Sequence, residues 1–117
     1  MMGYPKQMIR KKRVQRRKSI LQDTGKDVCF LCVLLHGDER QKSVLHTHHV
    51  FGGTANRKLS ERYGLTVKLC PEHHTEGKEA AHRNQEIAAL LHRIGQEAFE
   101  KRFPDLDFIE IFGRNYK

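Results

Sequence analysis

The sequence predicts a small α+β domain that holds a structural zinc ion and ends in a long helix. Three observations predict it. Every cysteine falls into a zinc-ligand spacing, two short runs rich in β-branched residues mark the middle, and a long segment of helical apolar period lies towards the end. A chain of 117 residues implies one domain. With 38% hydrophobic residues and no Trp, an apolar core alone is marginal. A structural metal supplies the missing stability.

The charge is concentrated at the start. Lys6, Arg10, Lys11, Lys12, Arg13, Arg16, Arg17 and Lys18 fall within residues 1–18, which contain no acid. The 22 Lys+Arg against 14 Asp+Glu give a net +8, so the excess sits in this stretch and the remainder is formally neutral. Residues 1–22 read as a self-repelling basic arm, expected to be disordered, and residues 23–117 as the folded domain. The expected partner is nucleic acid, because neutralised phosphates release counterions. A membrane surface fits poorly, since the arm has no apolar stripe to insert. The longest apolar run, VCFLCVLL at 28–35, is too short to span a bilayer, and no secretory signal is visible. A cytosolic location with reduced thiols is expected, and the odd cysteine count argues against a disulfide framework.

Along the chain, QDTGKD at 22–27 is a turn and VCFLC at 28–32 opens the folded part. SVLHTHHV at 43–50 favours a strand through its β-branched residues. GGTANRK at 52–58 reads as a loop, Gly64 as a further break, and LTVKL at 65–69 as a second strand. Pro71 suits the first turn of a short helix over PEHHT, which EGK ends. Asn84 is placed to cap a long helix whose apolar positions Ile87, Leu90, Leu91, Ile94, Ala98 and Phe99 follow the 3.6-residue period, with Pro104 as its stop. Asp107 and Glu110 have capping-box spacing, and Gly113 closes a last short helix.

Metal arithmetic sorts the cysteines and histidines. Cys29 and Cys32 form a C-x2-C knuckle, and Cys70 with His73 forms C-x2-H. Together they make a Cys3His set, a closed structural zinc arrangement. A Cys2His2 set of Cys29, Cys32, His46 and His48 fails, because one residue between the histidines is too few and Cys70 would be orphaned. That leaves HTHHVFGG at 46–53, together with His74 and His82. His48 and His49 are adjacent in a strand and face opposite ways. His48, His74 and His82 could close on a second metal with coordination positions left open. His36 and His92 read as ordinary loop and helix residues, and His46 shares a face with His48.

The order C-x2-C, then HHV followed by Gly-Gly, then LC-x2-HH and a further His resembles the HNH endonucleases. These are ββα-metal (His-Me finger) nucleases on a treble-clef zinc scaffold. The form HHVFGG…NRKLSERYGL…LCPEHH…AHRN, over residues 28–103, looks like the small phage-encoded branch of RecA-dependent, recombination-enhancing nucleases. The resemblance implies His49 as general base and His48, His74 and His82 as ligands of a catalytic divalent metal: Mg2+, Mn2+, Zn2+ or Ni2+. It also implies DNA as substrate, a RecA filament as a further partner, a monomer or dimer, and a bacterial host with a phage or prophage origin. The family's Asn, usually four residues before the second knuckle, is Thr66 here, and Asn56 is the alternative.

A neutral histidine suits proton transfer because its ordinary pKa is about 6.5. Arg57, Lys58 and Arg62 could clamp flanking phosphates while Lys11, Lys12, Arg13, Arg16 and Arg17 track the backbone. The competing expectation is a non-catalytic zinc module that binds nucleic acid through its arm. Such a module has no need of His49.

Overall fold

The structure, a computed structural model, describes residues 16–117, so Lys11, Lys12 and Arg13 lie outside the described residues. Its elements run in the order α1 (Phe30–His36), β1 (His46–His49), α2 (Thr54–Tyr63), β2 (Thr66–Leu69), a π-helical turn (Glu72–Glu76), α3 (Gln85–Arg102) and α4 (Phe108–Phe112). This is an α+β domain with a two-stranded sheet and a long helix towards the C-terminus. The strands are antiparallel, with His46 opposite Leu69, Thr47 opposite Lys68, His48 opposite Val67 and His49 opposite Thr66. Among the described residues no helix is long and apolar enough to cross a membrane.

The first element differs in kind from a simple turn. Cys29 is the N-cap of α1, and its sulfur accepts from the Cys32 N–H at 3.4 Å. The C-x2-C pair is therefore set at a helix start, where free N–H groups favour negative charge. Gly37 ends the helix in the left-handed conformation.

The segment expected as a loop at 52–58 is largely helical, because α2 begins at Thr54. Its polar composition hid it: Ser60 is its one fully buried residue, and Leu59 and Tyr63 are partly buried. Ser60 does the joining. Its hydroxyl accepts from the Phe51 N–H at 3.2 Å and donates to the Phe51 carbonyl at 3.0 Å, which ties α2 to the exit of β1. Gly53, at φ 90°, permits the sharp entry to the helix.

Residues 17–22 correct the expected boundary at residue 23. The Arg17 N–H donates to the Glu61 carbonyl at 2.9 Å, and the Ile20 N–H to that of Gly64 at 2.9 Å. The Ser19 hydroxyl donates to the Thr66 carbonyl, and the Gln22 side-chain oxygen accepts from the Lys68 N–H at 2.8 Å. Side chains thus satisfy the outer edge of β2, and the folded body starts near residue 17. Charge placed these residues in the arm, but Ile20 and Leu21 also pack on the core.

The remaining helices follow their caps. The Asn84 side chain accepts from the Glu86 and Ile87 N–H groups, and that of Asp107 from the Glu110 N–H. α3 buries Leu91, Gly95, Gln96 and Phe99. Phe51 packs its ring against Phe108, Phe112 and Tyr116, and Phe99 against Tyr63, Phe103 and Phe108. The buried Gln96 carries no orphaned groups. Its amide donates to Glu100 at 3.0 Å and Asn115 at 2.9 Å, and its carbonyl accepts from the Tyr116 N–H at 2.7 Å.

At Gly95, α3 packs closely against the residues that follow β1. A Cβ there would stand 2.9 Å from Val50 Cγ1 and 3.0 Å from Phe51 Cε2. On an exposed helix, Gly→Ala stabilises by about 1 kcal/mol. Here overpacking of about 1–3 kcal/mol opposes that gain. Gly95→Ala is expected to lower the urea midpoint, and a raised midpoint would show that α3 does not make this approach.

Candidate functional site

Two donor clusters lie on either side of the π-helical turn. The first consists of Cys29, Cys32, Cys70 and His73, all buried, with ligand atoms within 4.8 Å of one another. The Nδ1 of His73 is 3.7 Å from Cys29 Sγ, 3.3 Å from Cys32 Sγ and 3.5 Å from Cys70 Sγ, and the Cys32 and Cys70 sulfurs are 3.9 Å apart. A tetrahedral zinc with Zn–S of about 2.3 Å and Zn–N of about 2.0 Å requires edges of about 3.8 Å between sulfurs and about 3.5 Å between sulfur and nitrogen. The three sulfur–nitrogen distances and the Cys32–Cys70 distance match those edges, and all four ligand atoms lie within 4.8 Å of one another, so these residues can hold a structural metal such as zinc.

The electrostatics agree with that role. Burial, then the hydrogen bond and charge of Cys29 and of Cys70, push the Cys32 thiol up to about 12. Burial also acts to raise the Cys70 thiol, but hydrogen bonds with His73, Cys29 and Cys32 outweigh it and hold that thiol below its usual value. The resistance to ionising therefore falls on Cys32, and a dication among the sulfurs removes it while displacing the proton. The other face of His73 is also engaged. Its Nε2 lies 3.1 Å from Glu79 Oε1, and that same oxygen is 2.7 Å from His36 Nε2. A carboxylate on the far ring nitrogen leaves Nδ1 free to ligate. The His36–Glu79 link was not legible in the sequence, where His36 read as a plain loop residue.

The second cluster consists of His48, His74 and His82, with ligand nitrogens within 4.8 Å of one another. Ring centres are 5.4 Å apart for His48 and His74, 5.0 Å for His48 and His82, and 4.7 Å for His74 and His82. The backbone brings them together. The Ala81 N–H donates to the His73 carbonyl at 2.8 Å and the His82 N–H to the His74 carbonyl at 3.2 Å, folding the following loop back on the turn. Successive side chains on a helical turn leave it in different directions. His73 therefore serves the thiol cluster while His74 serves the histidine cluster.

Burial, followed by the charges of His82 and His74, lowers the pKa of His48 to about 3. Burial, then His82 and His46, also lowers that of His74. Both rings are neutral near pH 7, so each retains a lone pair for a cation. His46 finds a place here too. Its Nδ1 is 3.0 Å from the Nδ1 of His74, a contact in which one nitrogen donates and the other accepts.

His49 faces the other side of β1. Its Nε2 lies 2.8 Å from Glu61 Oε2 on α2. Glu61 also meets Arg16, whose Nε is 3.3 Å from Oε1. The His49 hydrogen bond, ahead of the charges of Arg16 and Arg57, holds the Glu61 carboxyl below its usual range. Nothing local in the sequence marked Glu61, because the helix that carries it read as loop.

Arg57, Lys58 and Arg62 are displayed on α2 rather than on a loop. Arg57 and Lys58 line a shallow cavity with Gly53, Thr54 and Glu61. Lys58 and Arg62 line a second with Thr54, Ala55 and Leu59. Arg17 turns to the body, with its guanidinium 5.1 Å from the Phe103 ring centre and its Nε 3.4 Å from the Arg62 carbonyl. Thr66 stands across the ladder from His49, and Asn56 is half-buried on the first turn of α2. His92 belongs to the core edge, stacked on Phe51 at 5.3 Å. Comparison with protein-family models, curated proteins and solved structures finds no match.

Metal analysis of the purified chain is expected to find zinc that survives mild chelation. Cys70→Ser should lose that zinc and several kcal/mol of stability, because bound metal is folding free energy. A Cys70→Ser chain with wild-type zinc content and melting temperature would overturn the Cys3His assignment.

Proposed function

We propose that this chain is a metal-dependent DNA endonuclease of HNH type, built on a treble-clef zinc scaffold. One observation carries the reading. Three histidines from β1, the π-helical turn and the following loop converge apart from the thiol cluster, and His49 stands next in the chain to one of them. A structural zinc needs the first cluster and has no use for the second. Three imidazoles with open positions fit a catalytic divalent cation: Mg2+, Mn2+, Zn2+ or Ni2+.

His48, His74 and His82 would hold that cation, which supplies charge stabilisation to the phosphate as its bond to the leaving oxygen breaks. The chain's own residues do the rest. His49 takes a proton from the attacking water as the water oxygen bonds to phosphorus. Arg57, Lys58 and Arg62 bind flanking phosphates from the outer face of α2, fixing the strand without reading bases. Arg16 and the basic residues Lys11, Lys12 and Arg13 continue the cationic path along the backbone. The likeness of the histidine motif to RecA-dependent nucleases adds a RecA filament on DNA as the substrate form, and a phage or prophage origin.

Supercoiled plasmid tests this directly. Wild type is expected to nick it with one of the four metals, more so on RecA filaments, and His49→Ala to fall by roughly 10²–10⁴-fold, the usual worth of a general base. Equal nicking by His49→Ala would remove it from the mechanism. Intact DNA binding with no nicking under any of these metals would make the chain a zinc-stabilised binding module.

His48→Ala should abolish calorimetric binding of the second metal while leaving the tightly held zinc in place. Simultaneous loss of both metals would mean that the clusters are not independent.

A further inference from the structure

We infer that Glu61 is a positioning residue that fixes the tautomer of His49, so that Nε2 carries the ring proton and Nδ1 is the nitrogen that accepts one from water. The inference rests on the nuclease reading for its catalytic consequence, but the contact stands on geometry alone. An imidazole acts as a base through one nitrogen, and its partner decides which. An ionised carboxylate accepts hydrogen bonds and cannot donate them. The Nε2 of His49, 2.8 Å from Glu61 Oε2, must therefore be the N–H when the ring is neutral. That leaves the lone pair on Nδ1.

The contact is built into the fold rather than left to two free side chains. His49 is on β1 and Glu61 on α2, separated by 12 residues. The paired hydrogen bonds between Ser60 and the Phe51 backbone fix α2 at the residue before Glu61 and the strand exit two residues after His49. The Glu61 carbonyl accepts from the Arg17 N–H at 2.9 Å, holding the backbone from the other side. Arg16 occupies the second carboxylate oxygen at 3.3 Å and leaves Oε2 to the ring. Both side chains are mostly sheltered, at 17% exposure for His49 and 26% for Glu61. A chance surface ion pair needs none of these clamps.

Glu61→Ala and Glu61→Gln separate the alternatives. In the free wild-type protein, ¹⁵N shifts of the His49 ring should show the Nε2–H tautomer, and Glu61→Ala should give a mixture. In the nicking assay Glu61→Ala is expected to lower kcat by roughly 10²-fold or more, as loss of an orienting carboxylate does. KM for DNA should stay level or fall, since an acid leaves a cationic surface. Glu61→Gln, whose amide oxygen can still accept from Nε2–H, should recover most of the rate and keep the tautomer. Wild-type kcat and an unchanged tautomer in Glu61→Ala would overturn the inference. If the wild type fails to nick DNA under any of the metals, the nuclease reading fails, and the tautomer measurement still decides the contact.

Discussion

The Cys29, Cys32, Cys70 and His73 cluster is the constraint on which the rest depends. A two-stranded sheet of four residues per strand is too small to stand alone. The cluster fastens the start of α1 to the end of β2 and to the turn that follows it. Once His73 is held there, the turn has a fixed rotation, and His74 must leave it on another side. The position of the histidine cluster is thus a consequence of the thiol cluster. The aromatic core beneath α3 supports the opposite flank, where Phe51, Phe99, Phe108 and Phe112 are almost fully buried.

The β1 strand divides the chemistry. Alternation sends His48 inward to His74 and His82, and His49 outward to Glu61. Two adjacent residues of one type acquire separate surroundings from the pleat alone. His46, two residues before His48, lies on the same side and braces His74. The short basic helix α2 sits between the strands in sequence, so it carries Arg57 and Lys58 beside the outward face where His49 and Glu61 meet.

Elements marked by strong local chemistry were legible in the sequence. Asn84 and Asp107 cap where their spacing indicates, both strands lie within their β-branched runs, and the C-x2-C and C-x2-H pairs converge. What was not legible depends on thin or distant contacts. α2 joins the body through Ser60 and partly buried Leu59 and Tyr63, so its pattern shows almost no apolar stripe. Residues 17–22 look like arm by charge, yet backbone hydrogen bonds to Glu61 and Gly64 anchor them. The histidine cluster could be grouped from residue types and leftover ligands. Glu61, Glu79 and the partner of His46 required the fold, because each contact spans elements with no fixed spacing between them.

The proposed function requires one chain to hold two metals in separate donor sets. Anomalous diffraction from crystals grown with zinc and soaked in manganese addresses it most directly. The account predicts a zinc peak enclosed by the three cysteine sulfurs and His73 Nδ1, and a second peak among His48, His74 and His82. A single ion shared between cysteines and the histidines of β1 would contradict it.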